Sequence, residues 1–173
     1  MDASYLTVVS SPLGQIWVCA TESGLCGLGF GSRVSDVMLR HLARHQIASP
    51  ELVTTPVLQA AVAQLETYFD RALRDFDVPL DLRGTPFQRA VWDELLEISY
   101  GDTLTYGEVA MEVNRPRAFQ AVGRAVGANP VAIIVPCHRV VGQGGSLTGY
   151  AFGVDRKAAL LVLEHDGLQL RAL

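Results

Sequence analysis

The stretch Ile133–Gly142 reads IIVPCHRVVG and places a cysteine and a histidine directly after an apolar, β-branched run. A run of this kind and length predicts a buried strand. Pro136 cannot donate a hydrogen bond to a central strand ladder, so we expect the strand to end there. Cys137 would then lie at the mouth of a strand and face a cleft. A thiol beside a base in such a position is a candidate nucleophile.

A second interpretation of Cys137 is a space-filling thiol, because free cysteine is among the most buried residue types. The adjacency of Cys137 and His138 does not decide between the two interpretations, since neighbouring side chains on an extended chain point apart. The rest of the sequence has to supply the context.

The composition favours an intracellular globular protein. The chain has 173 residues, of which 49% are hydrophobic, which suits one large domain or two small ones. Its three cysteines are an odd number, which argues against a disulfide framework and for a reducing compartment such as the cytoplasm. No apolar run predicts a membrane-spanning helix, and the first ten residues lack the basic region of a secretory signal.

Charge is unevenly distributed along the chain, whose net charge is −4. Residues 1–81 carry 5 basic against 9 acidic side chains, whereas residues 113–157 carry 6 basic side chains and only Asp155 as an acid. A basic segment inside an acidic protein indicates a surface for a polyanion. Charge alone favours an ordinary solvated face.

The N-terminal part, residues 1–81, has the pattern of a small antiparallel sheet with helices, an α+β arrangement. Two β-rich runs flank the Pro/Gly turn Ser11–Gly14, which predicts a hairpin. The elements that we expect are strands 5–9, 15–20 and 25–30, helices 35–46 and 56–72, and a further strand 75–82.

The C-terminal part, residues 82–173, is predicted to be mainly helical. Thr85 and Pro86 provide a cap and a first helical residue, and Thr105 caps a second helix. A short helix, a tight turn at 114–116 and a further helix form a helix-turn-helix pattern. The expected helices begin at 86, cover 106–113 and 117–128, and close the chain at 155–165, with a flexible loop at 142–145.

The second helix of the helix-turn-helix carries unusually small side chains. Small residues allow another backbone to approach a helix closely. Tight packing inside the protein is one interpretation, and close approach to a nucleic-acid groove, with Arg117 and Arg124 beside phosphates, is the other. The small residues are Ala118, Ala121, Gly123, Ala125, Gly127 and Ala128.

These features together resemble the O6-alkylguanine-DNA alkyltransferase family. The motif Pro136–Val140, preceded by Asn129 and Pro130, is similar to the active-site motif of that family. The resemblance implies an N-terminal ribonuclease H-like domain, 1–81, and a C-terminal winged-helix or helix-turn-helix domain, 82–173, that carries the cysteine. Further matches are Gly84–Gln88, Tyr100–Thr103, Thr105–Tyr106, Leu147–Tyr150, Glu164 and Gly167.

The resemblance implies a role for each matching catalytic position. Cys137 would accept the alkyl group irreversibly, and His138 would act as its base through a water, oriented by the carboxylate of Glu164. Asn129 would tie the helix-turn-helix to the active-site turn. Tyr106 would donate a hydrogen bond to the guanine so that it leaves neutral.

The resemblance also implies a pocket and a DNA-binding surface. Val140, Tyr150, Ala151 and Phe152 would line the guanine pocket. The protein would act as a monomer on double-stranded DNA through the minor groove, flip the damaged base out, and react once without a cofactor, on O6-alkylguanine and also O4-alkylthymine. The residues implied to contact DNA are Arg117, Ala118, Phe119, Gln120, Ala121, Arg124 and Arg139.

Three residues depart from the family pattern. Gln120 stands where the family has an arginine that fills the gap left by the flipped base. Phe119, next to it, replaces a small residue and could act as an apolar wedge. Phe152 places a ring where the family has glycine, so we expect a narrower alkyl pocket.

Three alternatives remain open on the sequence. Cys19, Cys26, His41 and His45 contain the residue types of a zinc site, but the spacings of zinc motifs are missing, so we expect no metal. Cys137, His138 and Glu164 match the composition of a cysteine hydrolase triad. A protein that binds alkylated bases without efficient transfer is the third alternative.

Overall fold

The computed structural model describes residues 1–165, so that Gly167 lies outside the described part. The chain forms two compact units. Unit 1 comprises Met1–Gly84 together with Pro130–Ala132, and unit 2 comprises Thr85–Asn129 and the chain from Ile133 onward. Within the described residues, no helix is long and apolar enough to cross a membrane.

Unit 1 is built on a three-stranded antiparallel sheet. Its strands are β1 (Tyr5–Ser11), β2 (Gly14–Ala20) and β3 (Leu25–Phe30), in the order β1-β2-β3. The predicted hairpin is therefore present, and Gly14 turns it with a positive φ of 103° that favours glycine. All six residues of β3 are buried, as expected for a strand that faces a core.

Two helices accompany this sheet, and both end earlier than the sequence predicted. Helix α1 covers Asp36–Arg44 and helix α2 covers Pro56–Phe69, each capped by the preceding Ser35 or Thr55. Gln46 and Arg71 each have a φ of 61°, a left-handed conformation that stops a helix. The sequence therefore predicted where both helices begin to within one residue, but it did not predict their left-handed ends.

The strand predicted over residues 75–82 is wrong. Only an isolated bridge between Leu25 and Leu80 is present, because Pro79 cannot donate to a ladder. The backbone of Asp77 is instead held by the side chain of Gln64, with Asp77 N donating to Oε1 at 2.8 Å and Nε2 donating to Asp77 O at 3.0 Å. A side chain thus takes the hydrogen bonds that a neighbouring strand would have supplied.

The four residues of the zinc alternative have other surroundings in the structure. Cys19 and Cys26 are buried in the core of unit 1 with Trp17 and Met38. The rings of His41, in α1, and His45, which caps the C-terminus of α1, are tilted against each other with centroids 4.6 Å apart. Across residues 1–165, no group of three or more potential ligands comes close enough to hold a metal ion.

Unit 2 is mainly helical. Both predicted capping residues are used, since Thr85 with Gln88 and Thr105 with Glu108 form reciprocal capping boxes. A short parallel pair of strands, β4 (Leu104–Thr105) and β5 (Val140–Val141), joins segments far apart in sequence. The helices are α3 (Pro86–Glu97), α4 (Tyr106–Glu112), α5 (Phe119–Gly127) and α6 (Val154–Glu164).

The strand predicted to lead into Cys137 is also wrong. Ile133 adopts a left-handed φ of 68°, so the apolar run folds as a turn, although Ile133–Val135 is buried as expected. Cys137 then begins a short 3₁₀ turn that ends at Arg139. The apolar pattern correctly predicted that this run is buried, but such a pattern does not distinguish a buried turn from a buried strand.

Candidate active site

Cys137 lies at the start of the 3₁₀ turn, with its side chain buried at 7% exposure. Asn129, just beyond α5, donates from Nδ2 to the carbonyl oxygen of Val135 at 2.8 Å and also hydrogen-bonds the thiol. Burial raises the pKa of Cys137, while the bond from Asn129 and the positive charge of Lys157 oppose the rise. The thiol therefore needs a base before it can act as a nucleophile.

His138 and Glu164 form a fully buried pair, with Nε2 and Oε1 2.7 Å apart. Burial lowers the pKa of His138, and the hydrogen bond and charge of Glu164 oppose that shift. The other ring nitrogen, Nδ1, is buried without a hydrogen-bond partner among the described residues. A neutral His138 that donates from Nε2 to the carboxylate presents an unprotonated Nδ1, which can accept a proton.

Arg139 requires a correction to the DNA-binding expectation. The residue is 6% exposed, and its side chain donates from Nε to Glu164 Oε2 at 2.8 Å and from Nη2 to Glu164 Oε1 at 3.0 Å. Its Nη1 donates to the carbonyl oxygen of Ile98, and its guanidinium lies over the ring of Tyr100. A guanidinium engaged in this way is not available to phosphates, so Arg139 belongs to the active-site network.

Glu164 is held ionised by its two cationic or proton-donating neighbours. Burial would raise its pKa, but the hydrogen bonds from His138 and Arg139 and the charge of Arg139 hold the pKa well below its usual value. A carboxylate that stays ionised while buried fixes the orientation of the histidine ring. The sequence expectation placed Glu164 beside His138, and the structure brings the two together.

Tyr106, the first residue of α4, lies at the rim of the same site. Its hydroxyl donates to the carbonyl oxygens of Thr148 at 3.1 Å and Gly149 at 3.4 Å. Burial and the neighbouring Cys137 raise the pKa of the phenol, which therefore remains a proton donor at neutral pH.

Lys157 is a site residue that the sequence reasoning did not identify. It is fully buried, donates from Nζ to Thr148 O at 3.1 Å, and lies 5.8 Å from the centroid of the Tyr106 ring. Burial lowers its pKa, and its positive charge favours the thiolate of Cys137. The only sequence signal was its place in the basic segment 113–157. That segment predicted a surface for DNA and not a buried cation in the active site.

The pocket residues separate into two groups. Tyr150, Ala151 and Phe152 line a cavity of about 20 Å³ together with Asn129 and Cys137. Val140, also expected in the pocket, is buried in β5 and does not line this cavity. The cavity has room for about one water molecule, so guanine can enter only if its wall moves.

The expected DNA-contacting residues lie on or just before α5. Arg117, Phe119, Gln120 and Arg124 are exposed, with Phe119 at 54%, while Ala118 and Ala121 are partly buried. The small residues divide between two faces of the helix, because Ala125 is buried and Gly127 is open, with nothing within 4 Å of a Cβ placed there. Internal packing therefore applies to Ala125, and close approach to a nucleic-acid groove stays a prediction for the exposed residues of α5.

Comparisons with known proteins agree with this geometry. Residues 4–82 match the 6-O-methylguanine DNA methyltransferase ribonuclease-like domain, and residues 86–166 match the DNA binding domain of the same family. A Mycobacterium bovis methylated-DNA–protein-cysteine methyltransferase is 60% identical over 156 residues, which are 90% of this chain and 89% of that protein. The enzyme of the same name from Methanosarcina barkeri is 43% identical over 95% of this chain and 99% of its own length.

Solved structures give the same result. The crystal structure of Mycobacterium tuberculosis O6-methylguanine methyltransferase has a TM-score of 0.79 and 43% identity, and it covers 93% of this chain and 92% of its own. Mycobacterium tuberculosis OGT in complex with DNA also has a TM-score of 0.79, with 44% identity and 92% of each chain covered. The expected fold class is confirmed, and the chain belongs to the methylated-DNA–protein-cysteine methyltransferase family.

Proposed function

We propose that this protein repairs O6-alkylguanine in DNA by transferring the alkyl group irreversibly to Cys137. The observation that carries the proposal is the buried pair of His138 and Glu164, in which His138 follows the buried Cys137 directly in the 3₁₀ turn and has one ring nitrogen without a partner among the described residues. Membership of the family supports the reaction class, and the geometry around Cys137 supports the choice of residues.

The transfer is a displacement at the alkyl carbon. His138 accepts the thiol proton through a water, the sulfur of Cys137 forms a bond to the alkyl carbon, and the bond from that carbon to O6 breaks. The electron pair of the broken bond stays on the guanine, which takes up a proton from the site and leaves neutral. Tyr106 donates a hydrogen bond to the departing base, and Lys157 and Asn129 stabilise the thiolate.

The reaction consumes the protein. A thioether is chemically inert, and none of the residues assigned to the site is placed to cleave it, so each molecule acts once. We expect no cofactor, because the substrate itself carries the alkyl group and the cysteine retains it. We also propose O4-alkylthymine as a second substrate, since its alkyl group is attached through the same kind of oxygen.

Access to the target atom requires the base to leave the duplex. We propose that the exposed side of α5 enters the minor groove, with Arg117 and Arg124 beside phosphates and Gln120 in the gap left by the base. The crystal structure of the Mycobacterium tuberculosis relative in complex with DNA supports DNA as the partner. We propose that one protein molecule acts alone at each lesion, in the cytoplasm.

Intact-mass measurement after incubation with an O6-methylguanine duplex tests the proposal. We expect a stable gain of one methyl group on the wild-type protein, no gain on Cys137→Ala, and nearly unchanged DNA binding by that variant. Cys26→Ala, which changes another buried cysteine, is the matched control and should still be methylated. Methylation of Cys137→Ala would contradict the proposal.

The same experiment separates the alternatives. A cysteine hydrolase would return to its starting mass and turn over an ester substrate repeatedly. A protein that only binds lesions would retain the duplex and leave both its own mass and the methylated base unchanged.

A further inference from the structure

Phe119 is a large apolar side chain in solvent, on the surface that we propose to meet DNA. It is the first residue of α5 and is 54% exposed. Arg117 and Gln120, which lie within two residues of it, are exposed and polar. A single exposed aromatic ring is common on protein surfaces, so its exposure alone assigns no role. The surroundings of the ring on α5 indicate one.

A row of residues four positions apart on α5 begins at Phe119 and continues with Gly123 and Gly127. Residues with this spacing lie along one side of a helix. Because glycine has no side chain, the Phe119 ring is the part of this row that projects from α5. A Cβ placed on Gly127 would meet no atom within 4 Å beyond its own helix and chain neighbours. The backbone at this row is therefore open to close approach by a duplex, and the ring would reach beyond the backbone into the base stack.

The same row runs beside the active site. A Cβ placed on Gly123 would lie 3.9 Å from Cδ1 and Cε1 of the Tyr106 ring. Gly127 lines the small cavity together with Cys137. Phe119 stands about 12 Å from Gly127 along the helix axis, since each residue of a helix adds about 1.5 Å. A base that passes from a duplex on α5 into the cavity therefore leaves the Phe119 ring behind with the rest of the duplex.

Removing a base from the stack breaks its contacts with the base pairs on either side. Gln120 can donate and accept hydrogen bonds in the gap, but its amide side chain has no aromatic face for stacking. The ring of Phe119 can stack on any base, because every base has a π-face. A ring next to Gln120 thus supplies the stacking that the amide cannot, without requiring a particular sequence beside the lesion.

We propose that Phe119 is a wedge that inserts between the base pair of the damaged guanine and the next base pair, and so lowers the cost of flipping. Insertion of apolar side chains between base steps is a general device of proteins that bind the minor groove. This inference rests on the proposed transfer to Cys137 from a flipped base. Phe119 is a positioning residue, because its ring stays in the duplex and does not touch the reacting atoms.

The test measures single-turnover methyl transfer by the full-length protein from three O6-methylguanine substrates. They are a fully paired duplex, duplexes with a mismatch in the base pair on one or the other side of the lesion, and the single strand. A mismatch weakens the stack beforehand, so a wedge contributes less there. Phe119→Ala removes the ring and Phe119→Trp keeps an aromatic face. Leu96→Ala, which trims an exposed apolar side chain on α3, is the control.

We expect Phe119→Ala to slow transfer from the paired duplex about tenfold, the size of effect that loss of one base–aromatic stack produces. On one of the mismatched duplexes and on the single strand, the same variant should react at close to the wild-type rate. Phe119→Trp should keep the wild-type rate on the paired duplex, and Leu96→Ala should be unchanged on every substrate.

Two results would overturn the inference. One is a wild-type rate of Phe119→Ala on the paired duplex. The other is equal slowing of that variant on the paired and both mismatched duplexes, which would assign the ring to a groove contact that does not open the stack. Absence of methyl transfer by the wild-type protein from every substrate would instead overturn the proposed function, so the two failures are distinguishable.

Discussion

Around Cys137 the charged side chains are buried and bonded to one another, whereas on α5 the polar and aromatic side chains stand in solvent. His138, Glu164 and Arg139 form a closed network with exposures of 6% or less. Phe119 and Gln120 are exposed, and they are also two of the positions that depart from the family pattern. The contrast leads us to expect larger effects from substitutions in the buried network than from substitutions on the exposed face of α5.

We expect the largest effect when one charge is removed from the buried network. Glu164→Gln keeps the shape of the side chain but removes the charge that orients His138. We expect transfer to slow by about 10²-fold or more, the usual contribution of a positioned general base. Single-turnover transfer from an O6-methylguanine duplex measures the effect, and the rate profile should shift to higher pH because a weakened base leaves the thiol protonated.

The control for this substitution is Glu97→Gln, which changes an exposed carboxylate on α3. It should leave the transfer rate at the wild-type value. A Glu164→Gln protein that reacted at the wild-type rate with an unchanged pH profile would remove the proposed proton path from the mechanism.

The second prediction concerns stability against pH. The folded protein holds His138 neutral and Glu164 ionised, with both pKa values lowered. The unfolded chain binds a proton at His138 below its ordinary pKa of 6.5 and at Glu164 below 4.5. Because the unfolded state takes up more protons, the free energy of unfolding should fall below pH 6.5, where His138 of the unfolded chain titrates, and fall further below pH 4.5, where Glu164 does.

Urea unfolding of wild type and Glu164→Gln over this pH range measures the dependence. The part of the decline that belongs to Glu164 should be missing in the variant, which will be less stable at neutral pH by roughly 3–5 kcal/mol, as expected when one partner of a buried ion pair is removed. A variant that kept the full decline below pH 4.5 would assign it to other carboxylates.

The comparison also shows which features the sequence could predict. The helix caps at Thr85 and Thr105 depend on residues three positions apart, and both were predicted. The partner of Arg139, Glu164, lies 25 residues away in the sequence. The residues next to Arg139 give no sign that its guanidinium is buried. Sequence reasoning therefore placed Arg139 on the DNA surface, where a basic segment would normally put it.

The backbone conformation of some segments could not be predicted from the sequence either. The left-handed Ile133 lies in a β-branched run that favours a strand, and only the tertiary packing of that run overrides the preference. The parallel pairing of Leu104 with Val140 was also missed, because two-residue strands carry no periodicity. The residue types of the site were predicted by resemblance, and the structure added Lys157 and the internal role of Arg139.

On the exposed surface, we predict smaller effects that concern DNA alone. Arg124→Gln should weaken duplex binding and reduce the slope of log K against log salt by about 0.9, the contribution of one neutralised phosphate. Fluorescence anisotropy over a range of salt concentrations measures the slope. Arg89→Gln, on α3, is the charge-matched control, and an unchanged slope in Arg124→Gln would place that arginine away from the phosphates.

The smallest expected effect is at Gln120. Gln120→Arg should accelerate transfer from duplex several-fold, because arginine adds charge, reach and donors in the gap left by the base. Gln120→Ala should slow it by a similar factor, reflecting unstacking costs of roughly a few kcal/mol that the side chain offsets in part. Single-stranded substrate is the internal control, since equal changes on both substrates would show that Gln120 does not fill the gap.

The most direct test of the account is to locate the transferred methyl group among the three cysteines. Wild-type protein is reacted to completion with an O6-methylguanine duplex, denatured, digested and analysed by tandem mass spectrometry. We predict one methyl group on Cys137 and none on Cys19 or Cys26, whose pKa values burial raises strongly. Guanine restored in the DNA without S-methylation of Cys137 would contradict the account.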